Sequence, residues 1–126
     1  MKHLSILLVL LLGVASGDTY PKREFRAAWV STAWGLDYPY NNFSQGQQNE
    51  IRFVLDSLRN NGYNAVIFQV RPGCDAFYES AYEPWSHHLQ GASGQAPSPY
   101  FDPLQVYIQE AHARGMELHA CSILIG

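Results

Sequence analysis

Two apolar patterns alternate along the chain once its first two dozen positions are past. One is the short apolar run: Phe25 to Trp34, Ala65 to Val70, and Met116 to Leu124. Runs of this length, bounded by Gly, Pro or charged residues, predict strands. The other is a three-to-four spacing. Ile51, Val54, Leu55 and Leu58, and then Leu104, Ile108 and Ala111, each predict a helix with one buried face. Ser44 is the candidate N-cap of the first helix, and Asp102, with Pro103 behind it, that of the second. Gly62 and Gly115 stand where a left-handed residue ends each helix. The predicted order is β-α-β-α-β, which implies parallel strands with right-handed crossovers.

The connections are unequal. Each helix returns to a strand within a few residues, whereas each strand leads into a long excursion. The stretch from Arg71 to Phe101 is about thirty residues, against roughly 4–6 for an ordinary link. Long loops after strands and short loops after helices place elaboration on one face, at the strands' C-terminal ends. That face carries the site in (β/α)₈ barrels and binds ligands in open α/β sheets.

Polar residues sharpen the picture. Gln69 and Arg71 share parity along the second strand with Ala65 and Ile67, so all four point one way. On the third strand Glu117, His119 and Cys121 also share a side, and ionisable groups on a face that should be buried are unusual. An Arg71–Glu117 ion pair across the strands is one expectation from this parity. The second excursion carries Asp75, Tyr78, Glu79, Glu83, Trp85, His87 and His88, a mixture more suited to a site than to a core.

The first residues have a separate logic. Met1, Lys2 and His3 precede an apolar run from Leu4 to Val14, too short to span a bilayer, which takes about 20 apolar residues in a helix. The small residues Ala15, Ser16 and Gly17 follow, before Asp18. This predicts a signal peptide over 1–17, cleaved near Gly17-Asp18, then a polar lead-in over 18–24 and a domain over 25–126. The alternative is an uncleaved anchor; no cysteine follows the run for lipid attachment. The expected location is outside the cytoplasm, periplasmic or secreted in a bacterium, with no stable membrane insertion after cleavage.

Composition narrows the partners. The formal net charge of −3 offers no footprint for nucleic acid or anionic lipid. Charged residues are sparse at 15%, while aromatics reach 13%; rings in loops offer flat apolar area that packs on sugar C–H faces, although for most of the rings a well-filled core is the better account. Cys74 and Cys121 are free to pair in an exported chain or to remain as thiols. No Cys/His ligand spacing, phosphate-cradling loop or nucleophile elbow is present, so no metal or cofactor is expected. Adjacent His87 and His88 project in different directions, which argues against a shared metal.

The residues Phe25-Arg-Ala-Ala-Trp-Val-Ser-Thr32, Asn64 to Pro72, Asp75 to Ser80, Glu83 to Ser86, Tyr100 to Leu104 and Glu110 to Ala120 together resemble the N-terminal part of the glycosyl hydrolase-like 10 family of exported bacterial proteins. The resemblance implies the first β-α-β-α-β portion of a (β/α)₈ TIM-type barrel, incomplete, with parallel strands. It implies action on a polysaccharide, peptidoglycan glycan strands above all. In such barrels the acid and its partner carboxylate come from the ends of strands four and seven, so the catalytic residues are not assigned here. The substrate-binding candidates are Gln69 and Arg71 as donors to substrate oxygens, Asp75 as a loop-ordering group or sugar-hydroxyl acceptor, Tyr78 and Trp85 as a stacking wall, and His119 as a contact. For Trp85 the alternative is a ring that packs its loop onto the rim.

Two departures from the family pattern stand out. Cys74 replaces a customary glycine, so its turn is expected to bend differently. After Ala120 the chain runs Cys121 to Gly126 where the family continues with an aromatic residue and an Asn-Pro-Tyr segment, as in a truncated or frame-shifted reading frame. The fragment alone is therefore expected to be inactive, or to act as a non-catalytic carbohydrate-binding protein.

Overall fold

A computed structural model of the chain describes residues 24–123. The expected signal peptide, the lead-in up to residue 23 and the end of the third strand at Leu124 lie outside the described residues. Within them, β1 (Ala27–Val30), α1 (Ser44–Asn60), β2 (Ala65–Arg71), a single-turn α2 (His87–Gln90), α3 (Pro103–Ala113) and β3 (Glu117–Ser122) follow in order, with a 3₁₀ turn at Ala33–Gly35. The three strands form one parallel sheet in the order β1-β2-β3. This is the α/β arrangement of one part of a TIM-type barrel, open along both edges. No helix among the described residues is long and apolar enough to cross a membrane.

Period-2 alternation divides β2. Val66, Phe68 and Val70 enter a core completed by Ile51 and Leu55 of α1 and Tyr107 and Ala111 of α3. Phe68 and Tyr107 stack at 4.0 Å, and Tyr38 meets both rings edge-on. Each such aromatic pair contributes about 0.5–1.5 kcal/mol beyond the area it buries. The opposite face of the sheet is open: Trp29 is half exposed, and Glu117 and His119 side chains are exposed.

The helix ends follow the sequence closely, with one correction. Asp102 caps α3 by accepting from the Gln105 N–H at 3.0 Å, ahead of Pro103 in the first turn. Gly62 and Gly115 take φ of 80° and 65°, values that favour glycine. Ser44, however, is the first helical residue of α1 and not its cap; Phe43 holds that position in extended geometry without a side-chain bond. The face of α3 also centres on Tyr107, one residue away from the Ile108 expected, with Ala111 one turn on.

The expected Arg71–Glu117 pair does not form. Glu117 pairs in register with Ala65, six residues before Arg71 along β2, roughly 20 Å at about 3.3 Å per residue. Arg71 instead pairs through Nε with the Glu83 carboxylate, which the following loop brings to the same end of the strand.

Candidate functional site

The C-terminal ends of β1 and β2 are joined by one buried side chain. Gln69, 2% exposed, points its carbonyl oxygen Oε1 at the loop leaving β1. There it accepts from Ser31 Oγ at 2.9 Å, the Thr32 N–H at 2.9 Å and the Ala33 N–H at 3.1 Å. Thr32 Oγ1 also donates to Gln69, at its backbone carbonyl, at 2.8 Å. These bonds end β1 at Val30, earlier than the apolar run predicts, because the backbone of residues 31–33 turns across β2 to meet the amide. Asp37 closes the loop by accepting from the Ser31 N–H at 2.9 Å.

The turn this creates presents Trp34. Its backbone is left-handed (φ 54°, ψ 20°), a conformation that strains a non-glycine residue by roughly 1–2 kcal/mol, and its side chain is 90% exposed.

The long excursion after β2 is stitched to the sheet end. Phe77 N–H donates to the Val70 carbonyl at 3.0 Å, Ala76 and Trp85 form a parallel bridge, and Ser86 N–H donates to the Ala76 carbonyl at 3.0 Å. Asp102 accepts from the Glu79 N–H at 2.9 Å as well as capping α3. Tyr100 donates to Glu79 Oε2 at 2.7 Å, and that bond pushes the Tyr100 phenol up to about 12. Ser86 caps α2, and the buried Gln47 amide of α1 donates to the Leu89 carbonyl at 2.7 Å and to the Asn41 carbonyl at 2.8 Å. Helix α2 is thus fixed beside the first loop.

Between the two loops lies a cleft of about 250 Å³ lined by Ala33, Trp34, Pro72, Gly73, Asp75, His87 and His88. The His87 and His88 rings lie 3.9 Å apart, side by side on the cleft. They do not project in different directions as expected, because they lie within the single turn of α2. Partial burial, then the neighbouring His87, lowers the His88 pKa below its ordinary value, against an opposing pull from Asp75. Asp75 Oδ1 is buried without a hydrogen-bond partner. Among the described residues no group of three or more His, Cys, Asp or Glu side chains is placed to hold a metal ion.

Of the six residues read from the sequence, Asp75 alone lines this cleft. Gln69 lies beneath it and shapes the first loop. Arg71 stands at the same end of the sheet with its guanidinium engaged by Glu83. Tyr78 and Trp85 pack against the core, Trp85 also edge-on to Tyr100 at 6.3 Å, so the rings hold their loop down. His119 is not brought to the rim. It pairs in register with Ile67, lies edge-on to Phe25 at 5.3 Å and contacts Glu117 at 3.2 Å, on the open face. Trp34 escapes the sequence reading because the apolar run places it within the first strand, which ends at Val30. His88 stands in the site-like excursion but not among the substrate-binding candidates; the Gly35 after Trp34 is the available signal of a turn.

A larger hollow of about 390 Å³ runs beside the free edge of β1, lined by Trp29, Tyr40, Phe53 and Leu58 among others. It is mainly apolar and lies along the side of the sheet, where a further strand or helix packs in a closed barrel. Asp37 and Glu50 also line it, but Asp37 is engaged by the Ser31 N–H and Glu50 by the Tyr40 and Asn41 N–H groups, so both carboxylates serve the loop between β1 and α1.

Cys74 and Cys121 are both free. Cys74 adopts φ 54°, a left-handed backbone that favours glycine.

Comparison with known proteins converges on one family. The model of the glycosyl hydrolase-like 10 family matches residues 24–123. The chain is 42% identical over 100 residues to glycosyl hydrolase YngK of Bacillus subtilis (strain 168), a match covering 78% of this chain and 19% of that protein. It is 38% identical over 107 residues to glycosyl hydrolase DigH of Escherichia coli (strain K12), covering 78% of this chain and 24% of that protein. The chain therefore spans about a fifth to a quarter of the length of these curated relatives.

Proposed function

Because the chain belongs to the glycosyl hydrolase-like 10 family, we propose that it forms part of the substrate-binding rim of an exported glycosidase-like protein acting on polysaccharide, with peptidoglycan glycan strands as the substrate. The leader read over residues 1–17 takes the protein to where that polymer lies. The observation that carries the reading is the cleft at the strand ends, where Trp34, Asp75 and His88 combine an exposed aromatic ring with hydrogen-bonding groups. Sugar rings offer the same combination, an apolar face and a hydroxyl edge.

Glycoside hydrolysis generally takes two carboxylates flanking the scissile bond, about 5–10 Å apart. Among the described residues Asp75 is the one carboxylate lining the cleft. This cleft therefore binds without cutting on its own, and in a complete barrel the acid and base come from other strands. The same observation favours the second reading, a non-catalytic carbohydrate-binding protein. Co-sedimentation of the purified chain with insoluble peptidoglycan, together with analysis of the supernatant for released sugars, tests both parts. Binding with no release is expected. Release of soluble fragments contradicts the inactivity of the chain, and failure to sediment contradicts the glycan reading.

A further inference from the structure

We infer that the cleft is a subsite for one uncharged sugar ring, with Trp34 as the platform on which the ring stacks and Asp75 and His88 as the groups that meet its hydroxyl or acetamido edge. The inference rests on the glycan reading above and goes further, by naming the platform and the class of sugar.

Trp34 carries the argument. Its ring is 90% exposed on a left-handed backbone, so the fold gains neither packing nor an easy conformation from it. Yet its position is tightly held. The three bonds to Gln69 Oε1 fix residues 31–33 immediately before it, and Gly35 immediately after it is also left-handed, at 64°. An exposed aromatic surface held in place from below binds at little ordering cost.

The polar wall is equally specific. Asp75 lines the cleft with its Oδ1 enclosed and unpartnered, which leaves Oδ2 for a ligand, and His88 lines the same cleft. Among the described residues no Lys or Arg lines the cleft, and the nearby Arg71 guanidinium is already paired with Glu83. An anionic sugar would therefore face Asp75 with no fixed positive charge to offset it. On a glycan of alternating N-acetylglucosamine and its lactyl-ether derivative, the subsite takes the uncharged unit. The volume of about 250 Å³ lies below the range of roughly 300–1,000 Å³ for drug-sized ligands, which suits one ring.

Titration of the purified chain with tri-N-acetylglucosamine and, separately, with trigalacturonate, followed by tryptophan fluorescence and calorimetry, tests this. Binding of the neutral trisaccharide is expected at least tenfold tighter than that of the anionic one. Trp34→Ala should weaken it at least tenfold, and Trp34→Tyr should restore most of the affinity. Trp34→Gly, which relieves the backbone, should lose binding with an unchanged or higher midpoint of unfolding; this separates loss of the platform from loss of the fold. Unchanged affinity in folded Trp34→Ala, or equal affinity for the two trisaccharides, overturns the subsite while peptidoglycan sedimentation by the parent chain keeps the glycan reading intact. Failure of the parent chain to bind either sugar or peptidoglycan overturns both.

Discussion

Thr32 donates two hydrogen bonds to Gln69 across the ends of β1 and β2. The Thr32 N–H donates to Gln69 Oε1 at 2.9 Å, and Thr32 Oγ1 donates to the Gln69 carbonyl at 2.8 Å. Both residues are buried, so neither bond is exchanged for water without disturbing the loop. Through this pair a side chain of the second strand sets the shape of the first loop, and that loop presents Trp34.

Gln69→Leu keeps the volume and removes the acceptor. The buried Thr32 N–H is then orphaned, and so is the Ala33 N–H. Each unsatisfied buried group costs about 1–3 kcal/mol, so urea denaturation should show a loss of at least ~2 kcal/mol. Loss within experimental error would mean that the loop re-forms its bonds elsewhere.

Much of this arrangement is legible in the sequence. The apolar run of β2, the Asp102-Pro103 start of α3, and Gly62 and Gly115 are local signals, and each appears where the residues alone place it. What escapes is long-range. The partners of Gln69 lie 36 to 38 residues away, and nothing near Val30 says that the strand must stop there. Likewise Arg71 chooses Glu83 over Glu117 because of register and loop path, which parity along a strand does not encode. Helix α2 is a single turn, too short to show a period.

Cys74 occupies a backbone conformation suited to glycine, at φ 54°. Cys74→Gly should relieve part of a strain of roughly 1–3 kcal/mol, offset by the greater freedom of glycine in the unfolded chain. A net gain of up to about 1 kcal/mol is expected by chemical denaturation, and a loss would show that the thiol makes a compensating contact.

Tyr107 stacks on Phe68 with its hydroxyl buried and unpartnered. Tyr107→Phe should be neutral or stabilising, since it removes an unsatisfied polar group, whereas Tyr107→Ala should cost about 3–5 kcal/mol, as for other large aromatic truncations in cores. Burial raises the phenol pKa of Tyr107, and of Tyr38 beside it, above the ordinary value. Both groups stay neutral in the fold. Their contribution is complete below about pH 10, the ordinary tyrosine value, and is lost as pH rises further and the unfolded chain ionises. Tyr107→Phe should soften that alkaline loss; an identical alkaline limb would contradict the assignment.

Arg114 links α3 to α1, pairing with Asp56 at 2.6 Å and with Glu110 at 2.6 Å, while Arg52 meets Glu110 at 2.7 Å. Hydrogen bonds from Arg114 lower the Asp56 pKa, and those from Arg114 and Arg52 lower that of Glu110. Lowered carboxylate pKa values stabilise the fold above the ordinary range near pH 4, and that stability is lost as pH falls below it. Melting temperature followed from pH 7 to pH 3 should fall less steeply in Arg114→Met than in the parent chain, and 1 M salt should narrow the difference. Parallel curves for the two proteins would mean that the pairs do not contribute.

The central claim is that the strand ends, and not the larger hollow at the β1 edge, form the glycan site. Chemical-shift mapping of the chain titrated with tri-N-acetylglucosamine tests it directly. The account predicts that the Trp34 indole N–H and the His88 ring resonances move first and saturably, while those of Trp29 and Phe53 stay in place. Shifts confined to Trp29 and Phe53, with Trp34 and His88 unmoved, would contradict it.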